Sequence, residues 1–316
     1  MKGPPDQNPV AASVLPSSTE SAGNGKPAEH PHGRRTAATA FGCPRDFLDN
    51  RFVYVVISPR ARGLSIGVNL TPDKRCNFNC IYCEVDRGEP VPAGELDLDV
   101  VAEELHRTLN YIYAGGLAMH PRYTGLSPDL LRPRHVTLSG DGEPTLCPRF
   151  LEAVQTVAHV RAMARVPFFK IVLITNASQL DRPNVQAGLK LFTAQDEIWA
   201  KLDAGTQTYY ERVNAGDVPL DKIMANILLV ARQRAVTIQS LFPMLRDEAP
   251  APAEIEAFAQ RLNELKQGGA KISLVQIYSA TRPHNNQHQT SHLPLRELSQ
   301  IAHTVRLVTG LKTEVY

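Results

Sequence analysis

Three cysteines near the start of the foldable sequence have types and a spacing that could do chemistry. Cys76, Cys80 and Cys83 follow one another in the pattern C-x-x-x-C-x-x-C. Three thiolates on one short loop could hold three irons of a cubane [4Fe–4S] cluster, whereas a closed site of this type takes four thiolates. The spacing therefore indicates a cluster with one iron open to a small molecule, which favours chemistry over electron storage.

Two further motifs lie downstream of the cysteines. Residues 139–146 read SGDGEPTL and residues 201–205 read KLDAG. Together with the cysteines and the segment 63–76, these strings resemble the radical S-adenosylmethionine (radical SAM) superfamily, and within it a subfamily of stand-alone oxidoreductases of mostly unassigned substrate. The resemblance runs from about residue 41 to residue 316. More distant resemblances are the glycyl-radical-enzyme activases and the wybutosine-type tRNA-modifying enzymes.

The resemblance implies a set of cofactors and an electron donor. In that superfamily the open iron binds the amino and carboxylate groups of S-adenosylmethionine, and one electron from the cluster cleaves the sulfonium to yield a 5′-deoxyadenosyl radical. We therefore expect an enzyme with Cys76, Cys80 and Cys83 as cluster ligands, S-adenosylmethionine as the second cofactor and a flavodoxin- or ferredoxin-type electron donor. The substrate, whether small molecule, protein or tRNA, and any catalytic side chain stay unassigned.

The resemblance also implies contacts to S-adenosylmethionine, at Tyr82, Asp141, Gly142, Glu143, Pro144, Thr175, Asn176, Lys201 and Asp203. Lys201 is expected at the methionyl carboxylate, Asp203 at a ribose hydroxyl and Tyr82 near the adenine. Asp141 stands where the family commonly has glycine, so it either faces the ligand or stabilises the turn. The plainer interpretation of the Thr-Asn and Asp-Ala-Gly strings is that they form turns.

Other interpretations of the cysteines remain open. Cys80 and Cys83 also have the spacing of a zinc-binding pair or a redox dithiol. A structural zinc site takes four ligands, and the neighbouring sequence offers neither a histidine nor a fourth cysteine, while a dithiol leaves Cys76 without a role. The two other cysteines, Cys43 and Cys147, are too few for a second all-cysteine cluster. The rival functions are tRNA base modification, activation of a glycyl-radical protein, and a non-enzymatic zinc- or cluster-binding protein.

Composition limits the domain organisation and the partners. A chain of 316 residues suits one barrel domain with a tail, and a net charge of +2 gives no strong signal for nucleic acid. Residues 1–40 contain no aromatic residue and are rich in Pro, Ser, Gly and Ala, so we predict a disordered tail before a core domain at 41–316. No apolar run approaches a membrane span and no signal segment is present, which favours a cytoplasmic location.

Strands and helices alternate along the predicted core domain. Strands are predicted at Phe52–Ser58, Leu64–Leu70, His135–Ser139, Phe169–Thr175, Glu197–Leu202, Val236–Leu241 and Ile272–Tyr278. Helices are predicted at Leu98–Tyr113, Phe150–Arg165, Leu220–Arg234, Ala253–Gln267 and Leu293–Thr309, with one short helix between Thr175 and Glu197. Six strands from Leu64 with helical returns predict an α/β fold, a partial (β/α)6 TIM-like barrel of the radical SAM type. A doubly wound open sheet is the alternative.

The predicted fold places the motifs at one edge. Ligands of parallel α/β folds bind beyond the carboxyl ends of the strands, and each motif follows a predicted strand. We predict that the insertion at 115–134 is a surface loop near the substrate. Arg282 is expected to contact an anion or the substrate, and the histidines that follow it, at positions 284, 288 and 292, either bind metal or are solvated.

Overall fold

A curved sheet carries the fold, and its strands match the predicted alternation. The structure is a computed structural model that describes residues 45–87, 95–280 and 290–316. Within these ranges the strands are β1 (Val53–Ser58), β2 (Gly63–Asn69), β3 (Pro133–Ser139), β4 (Lys170–Thr175), β5 (Glu197–Lys201), β6 (Val236–Leu241), β7 (Pro243–Leu245), β8 (Ile272–Tyr278), β9 (Thr290–His292) and β10 (Thr313–Val315).

The main sheet has the order β1-β2-β3-β4-β5-β6-β8-β10. Strand β1 pairs with β2 in the antiparallel sense, and every later neighbour is parallel. Strands β7 and β9 form a separate antiparallel pair. The six predicted parallel strands are therefore confirmed as β2 to β6 and β8, while the short β10 adds a seventh parallel strand that the sequence pattern did not indicate.

The helices lie between the strands as crossovers. They are α1 (Leu98–Tyr113), α2 (Gly116–Met119), α3 (Pro128–Leu131), α4 (Phe150–Met163), α5 (Pro183–Leu189), α6 (Gln207–Val213), α7 (Leu220–Ala231), α8 (Pro252–Gln267) and α9 (Leu295–Thr309). The ends follow local chemistry: the Asp97 carboxylate accepts the backbone N–H groups of Asp99 and Val100 at the start of α1, and Gly310 ends α9 with a φ of 67°.

The two faces of the sheet differ in polarity. The outward face carries Ile66, Leu138, Leu173 and Ile198, which pack with the helices into the hydrophobic core. The inward face carries the alternate residues, and many of these are polar: Ser65, His135, Thr137, Lys201, Gln239, Gln276 and Tyr278. Helices thus cover one face only, so the fold class is confirmed as the partial barrel and not the doubly wound sheet.

The insertion at 115–134 differs from the predicted surface loop. It contains α2 and α3, and its Tyr123 is fully buried against Phe47 and His120. The Arg132 carbonyl accepts the backbone N–H of Leu64, which places the end of the insertion at the amino ends of β2 and β3. The surface position is as predicted, since only Leu117 and Tyr123 of this segment are buried, but part of the segment is helical because tertiary aromatic packing, which no local periodicity reveals, orders it.

All described residues fall in one compact unit, and the proposed boundary near residue 40 lies outside them. In the described ranges, no helix combines the length and the apolar character needed to cross a membrane.

Candidate functional site

The cysteine loop lies between β2 and α1, at the carboxyl edge of the sheet. Cys76, Cys80 and Cys83 are free thiols, each partly exposed. No three His, Cys, Asp or Glu side chains in the described ranges converge on a point that could hold a single metal ion. In a cubane cluster each cysteine binds a different iron, so the cysteine sulfur atoms lie farther apart than the ligands of a single metal ion. Three free thiols on one loop are thus a donor set that fits a cluster with three protein ligands.

The end of α6 fixes the position of the cysteine loop. The backbone N–H groups of Asn79 and Ile81 donate to the carbonyls of Asn214 and Val213, each at 3.0 Å. The Asn214 side-chain amide also donates to the Cys80 Sγ at 3.4 Å. The middle cysteine is therefore held by both backbone and side-chain hydrogen bonds from one element.

Burial sets the protonation of two of the thiols. It raises the pKa of Cys80 to about 12, with a further contribution from the Asp203 carboxylate, and it also raises the pKa of Cys76. Burial opposes the charged form of Arg87, but contacts with Cys76 and Cys83 outweigh it and raise the Arg87 pKa. Both thiols are protonated at neutral pH, so binding of a metal centre must release protons, and Arg87 favours the resulting thiolates.

The turn after β3 packs directly on the start of the cysteine loop. The Glu143 backbone N–H donates to the Arg75 carbonyl at 2.9 Å. A Cβ added at Gly142 would lie 1.9 Å from that same carbonyl oxygen, so only glycine fits here. Pro144 then opens a buried 3-10 helix, Pro144–Leu146. The Gly-Glu-Pro motif thus positions the residue next to Cys76.

The Glu143 carboxylate joins the ends of β3 and β4. It is buried and accepts the Thr175 hydroxyl at 2.6 Å and the Asn176 backbone N–H at 2.7 Å. Burial raises the Glu143 pKa, although these donors oppose the shift. The Asn176 amide donates to the Asn77 Oδ1 at 2.9 Å, which extends the network into the cysteine loop. The structure therefore brings together three of the predicted site residues, and their polar groups form hydrogen bonds with one another: Glu143, Thr175 and Asn176.

Asp141 is engaged by protein donors on both carboxylate oxygens. The Arg45 guanidinium donates to Oδ1 at 2.7 Å and the Asn69 amide donates to Oδ2 at 2.7 Å. The Asp141 backbone N–H in turn donates to the Asn69 side chain at 3.2 Å. Of the two roles expected for Asp141, this arrangement supports stabilisation of the turn.

A second buried network links β5 to the cysteine loop. The Asp203 carboxylate accepts the Tyr82 hydroxyl, the Asn214 amide at 2.8 Å and the Leu241 backbone N–H at 2.8 Å, and it pairs with the Lys201 ammonium at 3.1 Å. Burial opposes the charge on Lys201, but Asp203 and Tyr278 outweigh it and raise the Lys201 pKa. The structure therefore gathers Tyr82, Lys201 and Asp203 beside Cys80, with the ammonium charged.

Several residues of the site had no specific signal in the sequence. Asn77 and Asn214 lie in the loop and after a short helix, where asparagine is an ordinary turn or cap residue. Tyr278 accepts a hydrogen bond from Lys201 at 2.9 Å, although the sequence showed it only as the end of a strand. On the inward face, the Gln239 side-chain amide donates a hydrogen bond to the Gln276 Oε1 at 2.8 Å.

Some sequence candidates lie outside the described residues. These are Cys43, Arg282, His284 and His288. His292 is described, and its Nδ1 lies 3.3 Å from the Ala280 carbonyl.

Comparison with known proteins identifies relatives by sequence. No family model matches the chain. A UPF0026 protein of Helicobacter pylori strain 26695 is 29% identical over 222 residues, which cover 67% of this chain and 63% of that protein. A UPF0026 protein of Helicobacter pylori strain J99 is 32% identical over 183 residues, which cover 56% and 49% respectively. The chain spans less than two thirds of the length of these curated relatives.

Solved structures of similar fold include a radical SAM methyltransferase. A structure of TYW1 with a lysine-pyruvate adduct bound has a TM-score of 0.54 and 16% identity, and the match covers 83% of this chain and 85% of that one. A radical SAM methyltransferase from Sphaerobacter thermophilus has a TM-score of 0.55 and 13% identity, with 84% and 68% covered. Streptococcus suis SuiB bound to S-adenosylmethionine has a TM-score of 0.53 and 14% identity, with 78% and 49% covered.

Proposed function

We propose that this chain, which is similar to UPF0026 proteins and has the fold of the radical SAM superfamily, is a radical SAM enzyme that holds one [4Fe–4S] cluster on Cys76, Cys80 and Cys83. One observation carries the proposal: three free thiols lie on a single loop at the carboxyl edge of a radical SAM-type barrel. When bound, the reduced cluster supplies the electron that cleaves S-adenosylmethionine to a 5′-deoxyadenosyl radical, which acts on a substrate still unidentified.

The polar residues near the loop have two kinds of role in this proposal. Lys201 keeps an ammonium at the carboxyl edge, which suits the methionyl carboxylate of S-adenosylmethionine. Asp203 and Glu143 already accept hydrogen bonds from protein donors, and the Asn176 amide donates to Asn77, so we assign all three to positioning the loops rather than to direct contact. Tyr82, Gly142, Pro144 and Thr175 stay predicted neighbours of the cofactor, and Asp141 a residue that shapes the turn.

The partners and the location follow from the same proposal. A flavodoxin- or ferredoxin-type protein would supply the electron, and such a donor belongs to the cytoplasm together with reduced thiols. These assignments rest on the resemblance and on the composition of the chain.

The proposal is tested by anaerobic reconstitution of the full chain with iron and sulfide, followed by reduction and addition of S-adenosylmethionine. We expect a bound cluster and formation of methionine and 5′-deoxyadenosine. Cys80→Ala should lose iron, sulfide and both products, because three thiolates are the whole protein ligand set. Two matched thiol variants, Cys43→Ala and the buried Cys147→Ala, should keep them. Equal iron and sulfide in all three variants would overturn the ligand assignment.

The rival functions give different results in the same preparation. Zinc without sulfide would support a non-enzymatic binding protein. A glycyl radical in a co-incubated partner would identify an activase. A mobility shift with tRNA but not with other polyanions would support tRNA modification, and the near-neutral charge of the chain makes this shift easy to distinguish from nonspecific binding.

A further inference from the structure

The inward face of the sheet lines a cavity of about 800 Å3 at the amino ends of the strands. Its inner wall is formed by buried side chains on four strands, namely His135, Trp199, Thr237 and Gln276. The β1–β2 turn and β10 form the rim, where Arg62 pairs with Glu314 at 2.8 Å across the two edges of the sheet. This cavity lies at the opposite end of the strands from the cysteine loop, and the proposed function leaves it without a role.

Positive charge dominates the lining of this cavity. Six cationic side chains face three carboxylates, those of Asp196, Glu197 and Glu314. Five of the six have partners: Arg62 and Lys312 pair with Glu314, Lys170 pairs with Glu197, and Arg234 and Lys271 donate to backbone carbonyls. The sixth is Arg60, whose Nε is buried with no hydrogen-bond partner in the described part of the chain.

The Arg60 guanidinium is held in place by an aromatic ring. Its central carbon lies 4.0 Å from the centre of the Tyr278 ring, and its Nε is buried with no hydrogen-bond acceptor. Stacking leaves the N–H groups in the plane of the guanidinium free to bind a planar or tetrahedral anion in a bidentate manner. The Nε itself is too buried for a ligand atom to reach, so the terminal N–H groups are the donors that an anion in the cavity would meet.

The position of Arg60 relates the cavity to the proposed cofactor site. Tyr278, on which Arg60 stacks, accepts a hydrogen bond from Lys201, so two side-chain contacts separate Arg60 from the Lys201 ammonium. The neighbouring wall is polar but uncharged: burial, helped by Lys170, lowers the pKa of His135 to about 3, and Gln276 is an amide. A ligand held here would meet the Arg60 guanidinium beside neutral hydrogen-bonding groups.

We propose that this cavity binds a small polar organic anion, with its carboxylate or phosphate on Arg60. The anion site does not depend on the proposed function. Carboxylate and phosphate share the geometry that a guanidinium recognises, and the experiment distinguishes them.

Trp199 gives a direct readout because it is the only tryptophan of the chain and lies in the cavity wall. The full chain is titrated with inorganic phosphate, glycerol phosphate or succinate at constant ionic strength, against sodium chloride, while tryptophan fluorescence is followed. We expect a saturable change with at least one of these anions. In Arg60→Gln the apparent affinity should fall by about tenfold or more, and Arg60→Lys should recover only part of it.

A matched control comes from Arg51, which also stacks on an aromatic ring, that of Phe52, at 4.9 Å but outside the cavity. Arg51→Gln should bind the anion as the parent does.

If Arg60→Gln fails to fold, Arg60→Lys, which keeps the charge, is compared with the parent instead. No saturable change in the parent, or equal affinity in the parent and both Arg60 variants, overturns the anion site. These titrations need no cluster, so failure of the proposed cleavage of S-adenosylmethionine is a separate result.

Discussion

Asp203 is a buried carboxylate near the cysteine loop that binds several protein groups at once. It is buried, and its carboxylate binds an ammonium, a phenol, an amide and a backbone N–H. A buried ion pair contributes little more to folding stability than an apolar pair of the same shape would. Removal of one partner, however, leaves a buried charge without a counter-charge and is strongly destabilising. Asp203 is therefore needed chiefly because Lys201 is there.

We predict that Asp203→Asn lowers the free energy of unfolding by about 3 kcal/mol, because the Lys201 ammonium loses its counter-charge. Urea denaturation of the cluster-free chain measures this. The control is Asp181→Asn, which breaks an exposed pair with Lys222 at 2.5 Å and should cost less than about 1 kcal/mol. Similar losses in the two variants would contradict the buried role of Asp203.

Residue types near the site could be predicted from the sequence, but their hydrogen-bond partners could not. Tyr82, Lys201 and Asp203 were expected close together, and they are, although 121 positions separate Tyr82 from Asp203. The sequence did not reveal that Asp203 is occupied by donors from Asn214 and Leu241. Such partners are set by tertiary packing of loops from different strands, which no local pattern encodes.

At the scale of elements, the turn after β3 and the cysteine loop act as one unit. Gly142 allows the turn to pass against the Arg75 carbonyl, and the hydrogen bond from Glu143 then holds the two backbones together. The atom that a Cβ at Gly142 would meet is the Arg75 carbonyl oxygen, which belongs to the backbone and cannot rotate away as a flexible side chain would. The spacing of the loop from the sheet therefore depends on one missing side chain.

We predict that Gly142→Ala displaces the start of the cysteine loop and lowers iron and sulfide content after reconstitution to less than about a tenth of the parent value, as expected when one of few ligands is misplaced. Gly125→Ala is the matched control: its φ is 82° and no atom lies within 4 Å of the added Cβ. That variant should cost about 1 kcal/mol of stability and keep the parent's iron. Full iron content in Gly142→Ala would show that the loop tolerates the displacement.

Long periodic elements were predictable, and short ones were not. Helix α1 begins and ends where its apolar spacing predicts, at Leu98 and Tyr113. The seven-residue α6 was missed because only Tyr209, Tyr210 and Val213 bury a face, and its start depends on the Thr206 side chain, which caps Tyr209. Strand β10 is three residues long and forms only because β8 offers it an edge.

For the whole molecule, polarity divides the barrel into an apolar outside and a polar inside. Because successive strand residues point to opposite faces, the same strands bury Ile66 and Leu138 under helices and direct His135 and Gln276 inward. The sequence showed the apolar half of this pattern clearly. The polar inward face could not be predicted in the same way. The contact of Arg60 with Tyr278 forms only because the sheet curves and brings the β1–β2 turn near β8.

The proposed activity requires a cluster whose fourth iron binds S-adenosylmethionine, and electron paramagnetic resonance tests this most directly. The reconstituted full chain is reduced with dithionite, and the spectrum is recorded before and after S-adenosylmethionine is added. We predict the signal of a reduced [4Fe–4S] cluster that changes shape on addition of S-adenosylmethionine and does not change on addition of the same volume of buffer. A cluster signal that stays the same with S-adenosylmethionine, or a chain that binds zinc and no sulfide, would contradict the account.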